Sequence, residues 1–410
     1  MDVIPVLRGK RILLGVGGSI AAYKAAELAS RLTQAGAHVD AILTAAASRF
    51  VTPLTFQSLT GRPAPADLWS EDAHVLHVGL ADGADLLLVA PATADLLAKL
   101  AHGLADDLLT VTALAARCPL LIAPAMDAGM FEHPAVQANL TALRMRGATV
   151  IGPAEGRMAS GLTGRGRMLE PDEILGHVRR AAGRNGPLAG RHVVVTAGGT
   201  EEPIDPVRSL SNRSSGKQGF AVAQAALDRG ANVSLVAAPC SLPTPVGASR
   251  LDVSTAHEMA HAVLEACASA DALVMAAAVA DFRPVRPADH KLKKGAGLPV
   301  LELERTTDIL RAVAEVRARS GRPACVVGFA AETGDLLANA RKKLQEKRLS
   351  LVVANDVSKP DAGFGADTNR VTLIDSTGVE ELPLLSKAEV AERILERVGA
   401  LLTREPKVPA

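Results

Sequence analysis

The chain has 410 residues, which is too many for one ordinary domain and predicts two or three. Its 45 Lys and Arg balance 44 Asp and Glu to a formal charge of +1, and neither half carries a long basic run, which argues against a nucleic-acid partner. Aromatic residues make up only 2%, so Ala, Val and Leu must fill the core, as is typical of helices packed on parallel strands.

Cysteine use and hydropathy predict a soluble cytoplasmic protein. The four cysteines form no CxxC pair, which argues against a local zinc knuckle or redox dithiol and fits a reducing compartment. The first residues lack the apolar region of a signal peptide. The longest apolar stretch, residues 84–94, is about half the length needed to span a bilayer, so we expect no membrane partner.

The first half alternates apolar runs with helical patterns. ILLGVGG at residues 12–18 predicts a buried strand that ends in a glycine turn, with Ser19 as the expected cap of a helix that ends at Gly36. Further strands are predicted at VDAILT (39–44), DLLLVAP (85–91), PLLIAP (119–124) and ATVIGP (148–153). Apolar strands separated by helices predict a parallel sheet that is covered on both faces.

The alternation of apolar runs and helical patterns begins again after a glycine-rich stretch at residues 182–190, which we interpret as a linker. RHVVVTAGGT at 191–200 again predicts a strand, a glycine turn and a helix. More strands are predicted at VSLVAAP (233–239), DALVMAAAVAD (271–281), ACVVGFAAE (324–332), LSLVVAND (349–356) and RVTLID (370–375). We therefore expect two α/β domains, 1–182 and 188–403, each with a mostly parallel sheet flanked by helices, the first flavodoxin-like and the second Rossmann-like.

The first glycine turn lies where open α/β sheets bind ligands, at the carboxyl end of a strand and the start of a helix. Ile20 replaces the third glycine of the dinucleotide fingerprint, and the next strand ends in Thr44 instead of an acid that could bind ribose. The turn therefore favours a mononucleotide over NAD and disfavours an NAD-dependent dehydrogenase with two Rossmann domains. A plain tight turn without a ligand is the alternative.

Four motifs of the first half together resemble the flavin-dependent cysteine decarboxylase family. They are GGSIAAYK (17–24), PATAD (91–95) running on to GLADDLLT (103–110), PAMDAGMF (124–131) and SGLTGRGRM (160–168). The resemblance implies FMN as the cofactor and 4′-phosphopantothenoylcysteine as the substrate. It also implies that the flavin oxidises the CH₂–SH carbon, that CO₂ then leaves, and that the same flavin returns the electrons.

The resemblance also implies roles for individual residues. His77 is the expected base, although on the residues alone a histidine without a function on a helix face is the alternative. Ser160 lies on the flap over the substrate, where the family often has a cysteine that donates a proton. Asp127 and Met130 are expected to bind substrate, and Asp127 stands where the family often has Asn. The cofactor is expected at Gly17, Gly18, Ser19, Ile20, Thr44, Pro91, Ala92, Thr93 and Met126.

The second half resembles phosphopantothenate–cysteine ligase, the usual bacterial fusion partner of that family. The motifs are VTAGGT (195–200), EPIDPVR (202–208), SNRSSGK (211–217), AAAVADFR (276–283), KLKK (291–294), VGFAAET (327–333) and AND (354–356). The resemblance implies that 4′-phosphopantothenate attacks the α-phosphate of CTP to give an acyl cytidylate and pyrophosphate. The amine of L-cysteine then displaces CMP. Mg²⁺ or Mn²⁺ is expected with the nucleotide, and the sequence identifies no metal ligands.

In this half, Lys291 is expected to hold the triphosphate, and Asn212 is expected to stabilise the acyl intermediate. Further substrate contacts are expected at Gly198, Gly199, Thr200, Ala277, Asp281, Thr307, Asp308, Ile309, Phe329, Lys343 and Lys347. Asp281 follows a predicted buried strand, where an acid is costly unless it meets ribose, a metal or a base. For the two lysines at i, i+4, a solvated helix face is the alternative.

Together the two resemblances predict a bifunctional enzyme of coenzyme A biosynthesis. The alternative is an active ligase joined to a flavin-binding scaffold without catalysis, which Ser160 suggests because a hydroxyl is a far weaker acid than a thiol. The family also implies self-association, with flavodomain trimers that hold FMN between subunits and assemble to a dodecamer, and with ligase dimers.

Overall fold

A computed structural model describes residues 3–69, 75–293, 300–332, 336–356 and 365–404. Contacts divide the chain into two units, Met1–Gly183 and Arg184–Ala410. Both units are α/β, with helices on the two faces of a parallel or mostly parallel sheet, which confirms the predicted fold class. Among the described residues, no helix has the length and apolar character that a membrane span requires.

The first unit contains a five-stranded parallel sheet in the order β2-β1-β3-β4-β5, and a separate hairpin of β6 and β7. Its strands are β1 Arg11–Val16, β2 His38–Leu43, β3 Leu86–Ala92, β4 Leu120–Pro124, β5 Thr149–Val150, β6 Ala154–Arg157 and β7 Thr163–Arg167. Its helices are α1 Ala22–Gln34, α2 Pro53–Thr60, α3 Leu76–Ala81, α4 Ala94–His102, α5 Leu108–Ala115, α6 Ala128–Glu132, α7 Pro134–Met145 and α8 Pro171–Gly183, with 3₁₀ turns at Pro5–Leu7 and Ala47–Arg49.

Both faces of this sheet are buried because its strands are apolar at nearly every position. Ile12 and Leu14 point into a core shared with α1 and α8, whereas Leu13 points into a core shared with α4, α5 and α7. The strands predicted for this half are present, but the one predicted at 148–153 is only two residues long, Thr149–Val150. Ser19 is not the cap of the first helix, however. Ala21 occupies that position without a side-chain cap, and its N–H instead bonds to the Ser19 hydroxyl at 3.3 Å.

The second unit contains an eight-stranded sheet in the order β12-β11-β8-β13-β16-β17-β19-β20, which is parallel up to β17 and antiparallel in its last two strands. Its strands are β8 His192–Ala197, β9 Glu201–Asp205, β10 Arg208–Ser211, β11 Asn232–Ala237, β12 Ala248–Asp252, β13 Ala272–Met275, β14 Phe282–Pro284, β15 Leu303–Arg305, β16 Cys325–Glu332, β17 Leu351–Asp356, β18 Thr368–Asn369, β19 Val371–Asp375, β20 Gly378–Glu381 and β21 Leu385–Ser386. Its helices are α9 Lys217–Asp228, α10 Ala256–Cys267, α11 Ile309–Ser320, α12 Leu336–Glu346 and α13 Lys387–Arg404.

Three expectations for this half are wrong in detail. The turn after β8 leads into the β9–β10 hairpin, and the helix begins only at Lys217. The strand predicted at 271–281 ends at Met275. The stretch interpreted as a linker folds in part onto the second unit, because Leu188 is 1% exposed and its N–H bonds to the Arg229 carbonyl at 2.9 Å.

Candidate active sites

Four loops meet at the carboxyl edge of the first sheet, where β1 to β4 end side by side. Backbone hydrogen bonds connect the ends of neighbouring strands: the Gly17 N–H bonds to the Pro91 carbonyl at 3.0 Å and the Thr44 N–H to the Val16 carbonyl at 3.1 Å. The Ala125 N–H bonds to the Ala92 carbonyl at 3.0 Å. These bonds bring the loops with the predicted cofactor residues to one edge of the sheet.

The glycine turn at this edge requires glycine for steric reasons. A Cβ on Gly17 would lie 2.4 Å from the Pro91 carbonyl oxygen, and one on Gly18 would lie 2.4 Å from the Ala46 Cβ. The turn thus brings its backbone close to both neighbouring loops. It leads into α1, whose N-terminus has no side-chain cap and forms a favourable environment for an anionic group.

A cavity of about 470 Å³ opens beside this turn. Its walls are the start of α1, the loop after β4, and the flap, which we define as residues 158–162 between β6 and β7. The predicted residues among those lining it are Ser19, Ile20, Met126, Asp127 and Ser160. Not among them are Gly17, Gly18, Thr44, Pro91, Ala92 and Thr93, which lie at the neighbouring strand ends, and Met130, which is 51% exposed on α6.

The β6–β7 hairpin that carries the flap is attached to the loop after β4 at two places, once through β7 and once through the flap itself. The Met126 N–H bonds to the Gly166 carbonyl at 3.0 Å, and a Cβ on Gly166 would lie 2.2 Å from the Met126 carbonyl oxygen. Nearer the tip, the Ser160 hydroxyl donates to Asp127 Oδ2 at 2.6 Å. Asp127 Oδ1 accepts the Gly129 N–H at 3.1 Å and so caps α6. The hydroxyl and the carboxylate therefore face the cavity as a bonded pair.

The sequence interpretation missed Lys24, which lines the same cavity and is only 7% exposed. Its Nζ donates to Glu170 Oε1 at 2.7 Å. The pairing partner lies far away in sequence, which no local pattern reveals. A usable signal was its position one helical turn before Leu28, on the buried side of an otherwise apolar helix face.

His77 lies on α3, which packs against α5, and is half-buried. It is not among the residues that line the 470 Å³ cavity. Among the described residues of one chain, His77 is therefore not brought to the cavity that Asp127 lines.

In the second unit, two adjoining cavities of about 580 and 570 Å³ form one cleft beyond the carboxyl ends of β13 and β16. The residues that line both cavities are Ala277, Val279, Asp281, Phe329 and Lys343. Of the other predicted residues, Asn212 lines the first cavity, and Thr307, Asp308, Ile309 and Lys347 line the second. Lys294 and Thr333, which belong to two of the motifs, lie outside the described residues.

The turn at Gly198, Gly199 and Thr200 is not among the residues that line this cleft. Thr200 is buried, and its hydroxyl accepts the Ala280 N–H at 2.9 Å. A Cβ on Gly199 would lie 2.7 Å from the Asn212 carbonyl oxygen. The turn therefore packs against Asn212, which lines the cleft, without lining the cleft itself. Asn212 itself is oriented by the bond from its Nδ2 to the Val279 carbonyl at 2.9 Å.

Asp281 lines the cleft, but it is not the buried acid that we expected from the sequence. The side chain is exposed, because β13 ends six residues earlier and the intervening residues form no strand. Exposure removes the desolvation cost that we assigned to this acid.

Two lysines near the end of α12 line the cleft. Lys343 donates from Nζ to the Phe329 carbonyl at 2.7 Å, and Lys347 forms an ion pair with Asp308. Burial would raise the pKa of Asp308, but hydrogen bonds from Lys347 and from the Arg311 N–H outweigh it and lower that pKa. Both lysines are half-buried, which argues against the solvated-face alternative.

The sequence interpretation also missed the cationic end of this cleft. Residues 214–219 line the first cavity where α9 begins, and Gly216 takes the left-handed conformation that starts the helix, with φ of 73°. Lys217 bonds to Asp367 Oδ1 at 2.6 Å, and Lys387 also lines the cavity. Burial, together with the charge of Lys217, lowers the pKa of Lys387. The start of α9, together with Lys217 and Lys387, therefore forms a second place where an anion would be stabilised.

Lys291 is exposed and is not among the residues lining either cavity. The segment that carries it is nevertheless held in place, because the N–H of the next residue, Leu292, bonds to Asp205 Oδ2 at 3.1 Å. Arg208 donates from Nε to the same carboxylate at 3.0 Å and from Nη2 to the Leu292 carbonyl at 3.1 Å. The β9–β10 hairpin thus positions Lys291.

Asp205, Arg208 and the backbone of Leu292 form a clamp, and we expect this clamp to make the stability of the second unit sensitive to acid. The hydrogen bond from Arg208, with those from the N–H groups of Val207, Leu292 and Arg208, lowers the pKa of Asp205 strongly despite its burial. A lowered pKa stabilises the fold above the unfolded value of about 4, and the contribution is lost as the pH falls below it. We therefore expect Asp205→Asn to have a lower melting temperature than wild type in the second unit at neutral pH. Below about pH 4 the melting temperatures of the two proteins should come closer together.

The measurement is the melting temperature of both proteins across a series of pH values, with the exposed Asp289→Asn as the matched control. A difference between wild type and Asp205→Asn that stays constant down to the lowest pH would show that the carboxylate charge does not stabilise the clamp.

Within the described part of the chain, no three His, Cys, Asp or Glu side chains come together in a group that could hold a metal ion.

Comparison with known proteins covers both units. Residues 6–183 match the family model described as Flavoprotein, and residues 188–402 match the DNA/pantothenate metabolism flavoprotein C-terminal domain. The coenzyme A biosynthesis bifunctional protein CoaBC of Bacillus subtilis is 48% identical over 97% of this chain and 98% of its own length. That of Vibrio vulnificus is 45% identical over 97% and 99%. The solved FMN binding protein AtHal3 is 35% identical over 42% of this chain and 96% of that protein, with a TM-score of 0.38.

Proposed function

The chain belongs to the family of bifunctional coenzyme A biosynthesis proteins, and from this premise we propose that it ligates L-cysteine to 4′-phosphopantothenate with CTP and then decarboxylates the product with FMN. The observation that carries the proposal is the match to bifunctional relatives over 97% of the chain. Each unit also has a cleft at the carboxyl edge of its own sheet, where such sheets bind ligands. The names of these relatives support two activities and lend nothing to the scaffold alternative.

The carboxyl edge of the first unit suits a flavin mononucleotide. The tight glycine turn and the uncapped start of α1 would hold the phosphate, and Ile20 and Met126 would lie against apolar ring surface. Thr44 and Thr93 use their hydroxyls to bind the N–H groups of Ala47 and Leu96, so they shape the neighbouring loops. Bound FMN supplies the electron sink that decarboxylation of a cysteine requires and that no side chain offers.

We expect Gly17→Ala to yield protein without bound flavin. The added Cβ would overlap the Pro91 carbonyl oxygen, which belongs to the backbone and cannot move aside cheaply. The measurement is the flavin absorbance per chain after purification, and again after incubation with excess FMN. The matched control is Gly378→Ala in the second unit, because a Cβ there has no atom within 4 Å. Flavin content at the wild-type level in Gly17→Ala would show that this turn does not form the flavin site.

We also propose that a second copy of the chain completes the decarboxylase site, in flavodomain trimers that assemble to a dodecamer. His77 is not among the residues lining the cavity of its own chain, so the base would come from a neighbour. Large apolar side chains are exposed on α1, on α3 and around α2, as an interface requires; they are Ile20, Tyr23, Phe50, Leu54 and Val78. The molar mass in solution tests this proposal, and a monomer that decarboxylates at full rate would contradict it.

For ligation, the cleft of the second unit offers fixed cations and an aromatic side chain. Lys343 and Lys347 would neutralise charge that builds on the α-phosphate, and Lys291 would reach the phosphates from the held segment beside β9 and β10. Phe329 would pack against the base, and the Asn212 side chain would stabilise the acyl cytidylate. Mg²⁺ or Mn²⁺ would enter with the phosphates of CTP.

The experiment is the absorption spectrum of the purified protein, followed by mass detection of products with each nucleotide in turn. We expect a flavin spectrum, and formation of pyrophosphate and 4′-phosphopantothenoylcysteine that depends on CTP. Synthetic 4′-phosphopantothenoylcysteine separates the two readings of the first unit, since a scaffold would bind flavin and leave that compound unchanged. A colourless protein that takes up no FMN would refute the decarboxylase half alone.

A further inference from the structure

The cavity of the first unit departs from the pattern of its family at two positions, and these two residues touch each other. Asp127 stands where the family often has Asn, and Ser160 where it often has a proton-donating cysteine. In this chain the Ser160 hydroxyl donates to Asp127 Oδ2 at 2.6 Å, across 33 residues of sequence. The contact joins the flap to the loop after β4, and both residues line the cavity.

Each departure is unfavourable alone. A serine hydroxyl is too weak an acid to give up a proton without a second group that replaces it. An ionised Asp127 would repel the carboxylate that the substrate must bring into this cavity, and two carboxylates at close range favour a state in which they share one proton. Together the two residues remove both difficulties. Once Asp127 carries the shared proton, the hydrogen bond between them reverses, so that the carboxyl group donates to the Ser160 oxygen and the hydroxyl proton is free to face the substrate.

The surroundings can support such a pair. Asp127 Oδ1 is oriented by the Gly129 N–H at 3.1 Å, so Oδ2 is left to face the hydroxyl. The cations that line the cavity are Lys24, Arg157 and Arg167. Lys24 and Arg167 both pair with Glu170, at 2.7 and 3.2 Å, so part of their charge is already balanced.

We propose that Asp127 and Ser160 form a proton relay that protonates the substrate carbon from which CO₂ has left, a role for which the family's pattern has a cysteine. The inference rests on the proposed decarboxylase function. In this step the ene-thiolate left by CO₂ loss uses its C=C electron pair to form a C–H bond at that carbon. The Ser160 O–H bond breaks, and the proton on Asp127 passes to the serine oxygen. The sulfur-bearing carbon becomes a thioaldehyde, which takes its two electrons from the flavin of the proposed function.

The relay predicts where the reaction stops when a member is missing. With Ser160→Ala or Asp127→Asn, we expect CO₂ release to continue while the fully reduced product forms about 10²–10⁴ times more slowly, the usual range for a lost general acid. The ene-thiol, which is lighter than the product by two hydrogen atoms, then accumulates and is detected by mass spectrometry. The double variant Asp127→Asn with Ser160→Cys should form the reduced product again, because a thiol needs no relay. Ser376→Ala in the exposed turn between β19 and β20 of the second unit is the matched control.

A second readout does not depend on turnover. We expect the infrared difference spectrum on binding 4′-phosphopantothenoylserine, a substrate analogue without a thiol, to show the band of a protonated carboxyl group. This band should be absent in Asp127→Asn and shifted in Ser160→Ala, because the hydrogen bond to the hydroxyl is then lost.

The outcomes separate the relay from the function on which it rests. Wild-type protein that releases no CO₂ from 4′-phosphopantothenoylcysteine overturns the proposed function and the relay with it. CO₂ release together with full reduction in Ser160→Ala or Asp127→Asn, at the wild-type rate, overturns the relay alone. Absence of the carboxyl band in wild type likewise refutes a protonated Asp127.

Discussion

Exchange of His77 for asparagine is expected to abolish decarboxylation of 4′-phosphopantothenoylcysteine, with a loss of about 10²–10⁴ in rate. Imidazole takes up a proton near neutral pH, whereas the carboxamide of asparagine cannot, although it has a similar size and can still form hydrogen bonds. The measurement is CO₂ release from the synthetic substrate at saturating concentration.

The bifunctional chain provides internal controls for this variant. His77 lies in the first unit, so CTP-dependent formation of pyrophosphate by the second unit should be unchanged. The flavin spectrum should also persist, because the turn at Gly17 is untouched. His102→Asn at the exposed end of α4 is the matched variant and should keep full activity. Normal CO₂ release by His77→Asn would show that His77 is not the base and has no function on its helix face.

The second large effect is expected from Lys343→Met, which should slow CTP-dependent pyrophosphate release by about 10²–10³, as is typical when one charge-stabilising group is removed. Lys343 lines both cavities of the cleft, and its Nζ is held by the Phe329 carbonyl at 2.7 Å. Methionine keeps the apolar part of the side chain and removes the charge, so the change in rate measures the effect of the positive charge.

The adjacent Lys342 offers a matched control on the same helix. Its side chain is 71% exposed and pairs only loosely with Glu346, at 3.9 Å. Lys342→Met should therefore ligate at the wild-type rate, since an exposed pair of this kind contributes little. Equal rates for the two methionine variants would exclude Lys343 from the phosphate site.

The sheets could be predicted from the sequence because burial on both faces makes parallel strands nearly continuous apolar runs. β1 and β3 are such runs, and each stands out from the polar helices beside it. The β9–β10 hairpin escaped prediction because β10 is exposed throughout and has no apolar alternation. The flap strands β6 and β7 escaped for the same reason, as polar and glycine residues dominate them.

The site residues, too, could be predicted from the sequence only in part. The motifs identified Asp127 and Ser160 as site residues. Their hydrogen bond could not be predicted, because it depends on how the flap folds back, which no spacing in the sequence specifies. Thr200 illustrates the opposite case. Its motif predicts a substrate contact, whereas packing turns its hydroxyl towards the Ala280 N–H. Local patterns therefore identified which segments matter, and tertiary contacts decided which atoms face the cleft.

The central claim, that one chain joins cysteine to an acid and then removes its carboxyl group, is tested most directly with cysteine that carries ¹³C in the carboxyl group. Supplied with 4′-phosphopantothenate, CTP and this cysteine, the purified protein should release ¹³CO₂ in proportion to pyrophosphate and leave unlabelled 4′-phosphopantetheine. Label retained in 4′-phosphopantothenoylcysteine, or pyrophosphate formed without ¹³CO₂, would contradict it.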